Sequence, residues 1–133
     1  MREAPGFTAE FADLILRPFQ RGGRGDPGFD CYGLISEVER RNGRHLPPWS
    51  SPDGTESIAQ AIASNTPLFE PCKKGPGAIA AIRIGRYVGH VGIITAQWEL
   101  LHCLDQFQGV CKSPLSEWER RIAGYYTYIG TPS

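Results

Sequence analysis

The 133-residue sequence has no surplus of either charge, because fourteen lysines and arginines balance fourteen aspartates and glutamates. A neutral total supplies no global field to draw in nucleic acid or an anionic membrane surface, so neither partner is expected. Long apolar runs are missing as well. No stretch of about 18 apolar residues occurs, so no membrane insertion is expected. The opening MREAPGFTAE lacks the basic start and unbroken apolar stretch of a secretory signal, and the expectation is a protein made in the cytoplasm without an export signal. No C-x-x-C is present. Of the cysteines at 31, 72, 103 and 111, only Cys103 and Cys111 lie near another possible ligand, His102, which argues against a zinc site; no metal or other cofactor is expected. In a reducing compartment the four are expected as free thiols rather than disulfides. Internal repeats and low-complexity tracts are also absent.

What remains is a composition of 41% hydrophobic and 21% charged residues, enough to bury the core of one compact domain over residues 1–133. Arginines 17, 21 and 24, and 40, 41 and 44, form local basic patches that read as solvated faces rather than phosphate sites. In TAEFADLILRPF, Phe11, Leu14, Ile15 and Phe19 recur at helical spacing, predicting a first helix over about residues 8 to 17 that ends before Pro18. The glycine-rich QRGGRGDPG is a loop. It leads to Asp30, a good N-cap, followed by Leu34, Ile35 and Val38 on one face, so a second helix starts at Cys31. Residues 42 to 56 read as a loop, and SIAQAIAS as a short third helix with a Ser57–Gln60 capping box.

Beyond PCKKGPG the pattern changes. Segments 78 to 84, 88 to 95, 100 to 104 and 122 to 129 are short and rich in branched and aromatic residues, as strands are. In SPLSEW, Ser113 reads as an N-cap and Pro114 as the first position of one helical turn. Helices first and strands afterwards predict an α+β domain, N-terminal helices packed on a central antiparallel sheet.

Two histidines fall in adjacent predicted strands. A hairpin of 88 to 95 with 100 to 104, turning near Ala96 to Glu99, sets His90 and His102 nearly opposite on one face, within reach of a mutual hydrogen bond. A thiolate is the reactive form of cysteine, and a helix N-terminus or a neighbouring imidazole lowers a thiol's pKa. Cys31 has the first by position and would gain the second from His90, with His102 orienting that base. Residue types alone leave two readings open, a thiol nucleophile or a core cysteine beside structural histidines. His45 reads as an exposed loop residue. Trp49, Trp98 and Trp118 read as packing residues or as the lining of a groove, and Cys72, Cys103 and Cys111 as buried small hydrophobes.

PFQRGGRGDPGFDCYGLI resembles the nucleophile segment of the NlpC-like cell-wall cysteine peptidases, a papain-like family with an aromatic, Gly-Gly, a turn and Asp-Cys-Ser-Gly or Asp-Cys-Trp-Gly. GHVGIITAQWELLHCL resembles the same family's histidine strand, His-Val-Gly-Ile, with the third polar residue on the next strand; the twelve-residue spacing of His90 and His102 fits members whose third residue is histidine. The two blocks fall in order across most of residues 15 to 105. GVCKSPLSEWERRIAGYYTY is similar to the end of bacteriophage tail-associated members, with a Gly-Val strand, a short helix and a closing Arg-Ile-x-Gly-Tyr-Tyr strand, and Tyr32 after the cysteine is similar to that branch as well.

The resemblance implies a papain-like NlpC-type fold. It also implies Cys31 as nucleophile, His90 as general base and then acid, and His102 as orienter, with no cofactor. The bond cut in the family is an amide of the peptidoglycan stem peptide, often from D-glutamate to a diamino acid. Asp30, Phe19 and Tyr32 take positions associated with substrate, and the Cys31 backbone N–H that of an oxyanion donor. At the position of Phe19 many members carry a tyrosine whose hydroxyl lies near the oxyanion; loss of one such donor can cost about 10²–10³ in rate. Ala78 replaces an acidic loop residue. The resemblance therefore implies a peptidoglycan peptidase or amidase of a phage tail or prophage remnant, acting in the virion tail or at the bacterial wall or periplasm. Alternatives are a tail-tip assembly component of little or no activity, associated with tail-tip proteins, and a related thiol hydrolase or acyltransferase toxin.

Overall fold

The computed structural model describes residues 1–20, 28–46, 69–84, 87–104 and 109–129. The predicted third helix, Trp49, Arg21, Arg24 and most of the glycine-rich loop lie outside the described residues. One α-helix, α1 (Cys31–Arg41), packs on a six-stranded sheet. The strands are β1 (Phe69–Pro71), β2 (Ile79–Ile84), β3 (Tyr87–Ile94), β4 (Glu99–Leu104), β5 (Gly109–Pro114) and β6 (Ile122–Tyr128), in the order β1-β6-β2-β3-β4-β5. Every pairing is antiparallel. This is the expected α+β architecture, with one α-helix rather than several among the described residues.

Alternation along the strands sends side chains to opposite faces, and each face has its own core. Toward α1, Ile79, Ala81, Val91, Ile93, Leu101 and Cys103 join Leu34, Ile35 and Val38 of the helix. On the other face Ala80, Ile82, Ile94 and Leu100 are covered by Leu115 and Trp118 from the connection between β5 and β6.

The helix predicted over 8 to 17 is a correction. Only one 3₁₀ turn forms, Ala12–Leu14, and Ile15 leaves it in an extended conformation. Leu16 has φ 71, and the chain then runs along β5: the Leu16 N–H bonds to the Val110 carbonyl and the Val110 N–H to the Arg17 carbonyl, each 2.9 Å. Pairing with a strand about 95 residues away thus overrides local periodicity. Gly109 permits the approach, since its φ is +131 and a Cβ there would lie 2.0 Å from the Arg17 carbonyl oxygen. Ser113, expected as a helix cap, lies within β5 instead, whose last residue is Pro114, and the following 3₁₀ turn, Leu115–Glu117, has no side-chain cap.

The basic patch of Arg40, Arg41 and Arg44 becomes an ion-pair network that is solvated only at Arg40, since Arg41 and Arg44 are half-buried. Arg41 joins Asp13 and Glu37, Arg40 joins Glu37, and Arg44 meets the buried Glu39 at 2.8 Å. Asn42, just past the end of α1, accepts from the Thr8 and Ala9 amides and so ties the N-terminal segment to the helix. At the other end, Asp30 Oδ1 accepts from the Gly33 N–H at 2.6 Å, the capping contact the sequence predicts. Asp30→Ala is expected to lower stability by about 1 kcal/mol in urea unfolding, with Asp30→Ser restoring most of the loss; an unchanged midpoint for Asp30→Ala contradicts the capping role.

Candidate active site

α1 begins at Cys31, and its first turn packs against β3 and β4. The two strands pair from Gly92↔His102 to Ile94↔Leu100, and the pairing stops short of His90. Cys31 lies at this opening: the Val91 backbone N–H bonds to its thiol, one residue from His90. Beside it the Cys103 thiol donates to the Phe29 carbonyl, 3.3 Å away. Phe19 is in a parallel bridge with Phe29, two residues before the cysteine, and is partly buried against the helix-side core. Tyr32, the other residue expected near substrate, is buried in that core at 2% exposure.

The hairpin register differs from the expected one. Gly92, not His90, stands opposite His102, so the turn is centred on Gln97 rather than Ala96. Trp98 is the cause: it adopts φ 63, giving a three-residue loop closed by the Trp98 N–H on the Thr95 carbonyl and the Thr95 N–H on the Glu99 carbonyl. A left-handed residue in such a loop is commonly glycine, and nothing in the sequence marks tryptophan for that conformation. The two-residue offset keeps both histidines on one face. They meet on the diagonal across Gly92, His90 Nε2 to His102 Nδ1 at 3.1 Å.

Both rings lie on the face away from α1 and are almost completely enclosed, His90 at 3% and His102 at 0% exposure. Trp118 covers them, its ring edge-on to His102 at 4.8 Å between centroids and 6.3 Å from His90. The Arg121 guanidinium lies over the same indole at 5.3 Å. Past His102, its Nε2 meets Ser113 Oγ at 2.9 Å, so a hydrogen-bonded line runs His90–His102–Ser113. No buried side-chain nitrogen or oxygen among the described residues lacks a partner. Trp118, read from the sequence as packing or groove lining, and Ser113, read as a helix cap, are site components that the sequence did not link to the histidines. Ser113 is two residues past Cys111, which stands opposite His102.

Electrostatics set the resting state. Burial, helped by the Asp30 carboxylate, pushes the Cys31 thiol up to about 11, outweighing the hydrogen bonds it receives from backbone amides. The lowering expected from the helix N-terminus therefore does not govern the resting thiol, and the lowering expected from His90 is not among the effects that set it. Burial also pulls His90 down to about 3, with His102 adding to the effect, and His102 down to about 4. Thiol and imidazoles are all neutral near pH 7. Such a set stores no thiolate–imidazolium pair at rest. The other cysteines are also free thiols; Cys72 and Cys103 are buried, and Cys111 is half-buried rather than buried.

The comparisons agree with this arrangement in fold. The NlpC/P60 family model matches residues 16–126. A solved structure described as similar to a lipoprotein of the NLP/P60 family, from Staphylococcus aureus subsp. aureus Mu50, superposes with a TM-score of 0.56 at 21% sequence identity. The match covers 86% of this chain and 37% of that one. Among curated proteins none matches this chain.

The two buried histidines also make stability depend on pH. Unfolded, each binds a proton below about pH 6.5; folded, each stays neutral down to about 4 or 3. Between pH 6.5 and 5 the unfolded chain binds more protons, so stability falls on acidification, by up to about 2.7 kcal/mol per pH unit for the pair. Urea unfolding of wild type and of the His90→Gln/His102→Gln double variant across that window is expected to show the slope only in wild type. Equal slopes contradict the buried, neutral pair.

Proposed function

The chain belongs to the NlpC/P60 family, and from that premise we propose that it is a cysteine peptidase or amidase of peptidoglycan stem peptides, with Cys31 as nucleophile, His90 as base and His102 as its orienter. One observation supports this most: His90 is hydrogen-bonded through Nε2 to His102, while the residue following it, Val91, gives its amide to the Cys31 thiol. With Nε2 engaged, the His90 nitrogen left for a thiol is Nδ1. In the proposed reaction the Cys31 proton passes to His90 Nδ1 as sulfur attacks the amide carbonyl. Charge then develops on the carbonyl oxygen, and the Cys31 backbone N–H at the first turn of α1 is the donor for it. His90 returns its proton to the departing amine, leaving a thioester on Cys31. Water, deprotonated by His90, attacks the thioester and releases the acid with the thiol restored.

Neutral resting groups make the proton transfer part of the attack, so correct seating of the carbonyl governs the rate. Asp30 stands beside the nucleophile, where its carboxylate suits a substrate amine; Phe19 and Tyr32 belong to the same neighbourhood as aromatic walls or supports. The phage-like ending, from Gly109 to Tyr128, supports a setting in a phage tail, with delivery to the bacterial wall or periplasm and with tail-tip proteins as partners. Phe19 favours a second reading, a tail-tip component with little activity, since a phenylalanine has no hydroxyl for the oxyanion. The toxin reading calls for a different amide or ester and has no feature of its own.

Digestion of purified peptidoglycan, with mass spectrometry of the released fragments, tests the proposal. Wild type is expected to release stem-peptide fragments and Cys31→Ala to release none; release by both, or by neither across several wall types, counts against the hydrolase. Phe19→Tyr is expected to raise the rate, by up to about 10²-fold if the new hydroxyl reaches the oxyanion. No gain in Phe19→Tyr contradicts that placement.

A further inference from the structure

The histidine pair imposes a rule on its own protons. An imidazole that is neutral carries one N–H, so a line of two rings and a hydroxyl has only two consistent proton orders. In one, His90 holds its proton on Nε2 and donates to His102 Nδ1, and His102 holds its proton on Nε2. His90 Nδ1 is then bare and able to take a proton from a thiol. In the other, His102 donates from Nδ1 to His90 Nε2, which places the His90 proton on Nδ1. That order blocks His90 as a base toward the cysteine.

Resting on the proposed role of His90, we infer that Ser113 is a positioning residue that holds the productive order by accepting the His102 Nε2–H. Its Oγ is 2.9 Å from that nitrogen. His102 is fully buried, and a buried N–H left without an acceptor is costlier than an under-used lone pair. Ser113 itself is half-buried, and its hydroxyl also hydrogen-bonds to the Cys111 side chain, so its own O–H has a partner while its lone pair serves the ring. Loss of the hydroxyl removes the acceptor and favours the order in which His102 Nε2 is bare, and that order reverses the bond to His90. A carboxylate in this position, an acceptor only, would force the same order by charge; a serine can accept the His102 proton without adding a charge to a nearly closed site. The sheet fixes the placement, because Cys111 pairs with His102 and the next residue on that face of β5 is Ser113.

Nitrogen-15 histidine NMR spectra of the labelled full chain report which nitrogen of each ring carries the proton, whatever the substrate. Wild type is expected to show both His90 and His102 protonated at Nε2. Ser113→Ala is expected to move the His102 proton to Nδ1 and to lower kcat on stem-peptide fragments by roughly 10- to 100-fold with KM held, a share of the roughly 10²–10⁴ a positioned base supplies. Ser113→Thr, which keeps the hydroxyl, is expected to retain the wild-type spectrum and rate. A wild-type spectrum with His102 protonated at Nδ1 overturns the inference without any variant, as does Ser113→Ala with wild-type tautomers and kcat. If tautomers shift as expected but wild type shows no Cys31-dependent cleavage, the proton order stands and the hydrolase reading falls.

Discussion

Two imidazoles buried 3.1 Å apart can share only one proton between their facing nitrogens, and that restriction organises the domain around it. It needs a hairpin whose register leaves the rings on one face with room between them. Gly92 stands opposite His102 in that register, and the close packing there admits no side chain, since a Cβ would approach Leu100 Cδ1 to 2.6 Å. It needs a dry cover, which Trp118 supplies from the connection between β5 and β6. It needs an outer partner for His102, which β5 brings in as Ser113. Each requirement is met by a different strand or connection, so the site depends on the whole sheet rather than on one motif.

The packing around Cys31 has two opposed effects on its thiol. A helix N-terminus favours a thiolate, yet the same packing that seats Cys31 against β3 removes water and pushes the thiol up to about 11. The histidines, pulled down to about 3 and 4, resist taking up the proton in the resting state. A neutral thiol is the less reactive form of cysteine, because the thiolate is the nucleophile. In the proposed reaction the charge forms only when a substrate carbonyl is there to accept it.

Much of this was legible in the sequence, and the exceptions have physical causes. The start of α1 at Cys31 follows from Asp30 and from the spacing of Leu34, Ile35 and Val38, all local signals. Strands β2, β3, β4 and β6 follow from runs of branched and aromatic residues. The sharing of one face by His90 and His102 survived a register error because an offset of two leaves parity unchanged. Non-local pairing defeated the prediction elsewhere. Leu16 and Arg17 run beside Val110 instead of continuing a helix, and the sequence near residue 16 carries no trace of that partner. Ser113 read as a helix cap because serine before proline usually is one. Its link to His102 required the β4–β5 register, which no local pattern reveals. The left-handed Trp98 was equally silent, since nothing distinguishes it from a tryptophan in an ordinary turn.

The central claim is that the Cys31 thiol gives its proton to His90. The most direct measurement is the rate of iodoacetamide alkylation at Cys31, mapped by peptide mass spectrometry, against pH in wild type and His90→Gln. The account predicts no thiolate plateau in wild type below a pH of about 11, and alkylation near pH 7 that is at least about tenfold faster than in His90→Gln, through base assistance. Indistinguishable rates in the two proteins across the range would contradict it.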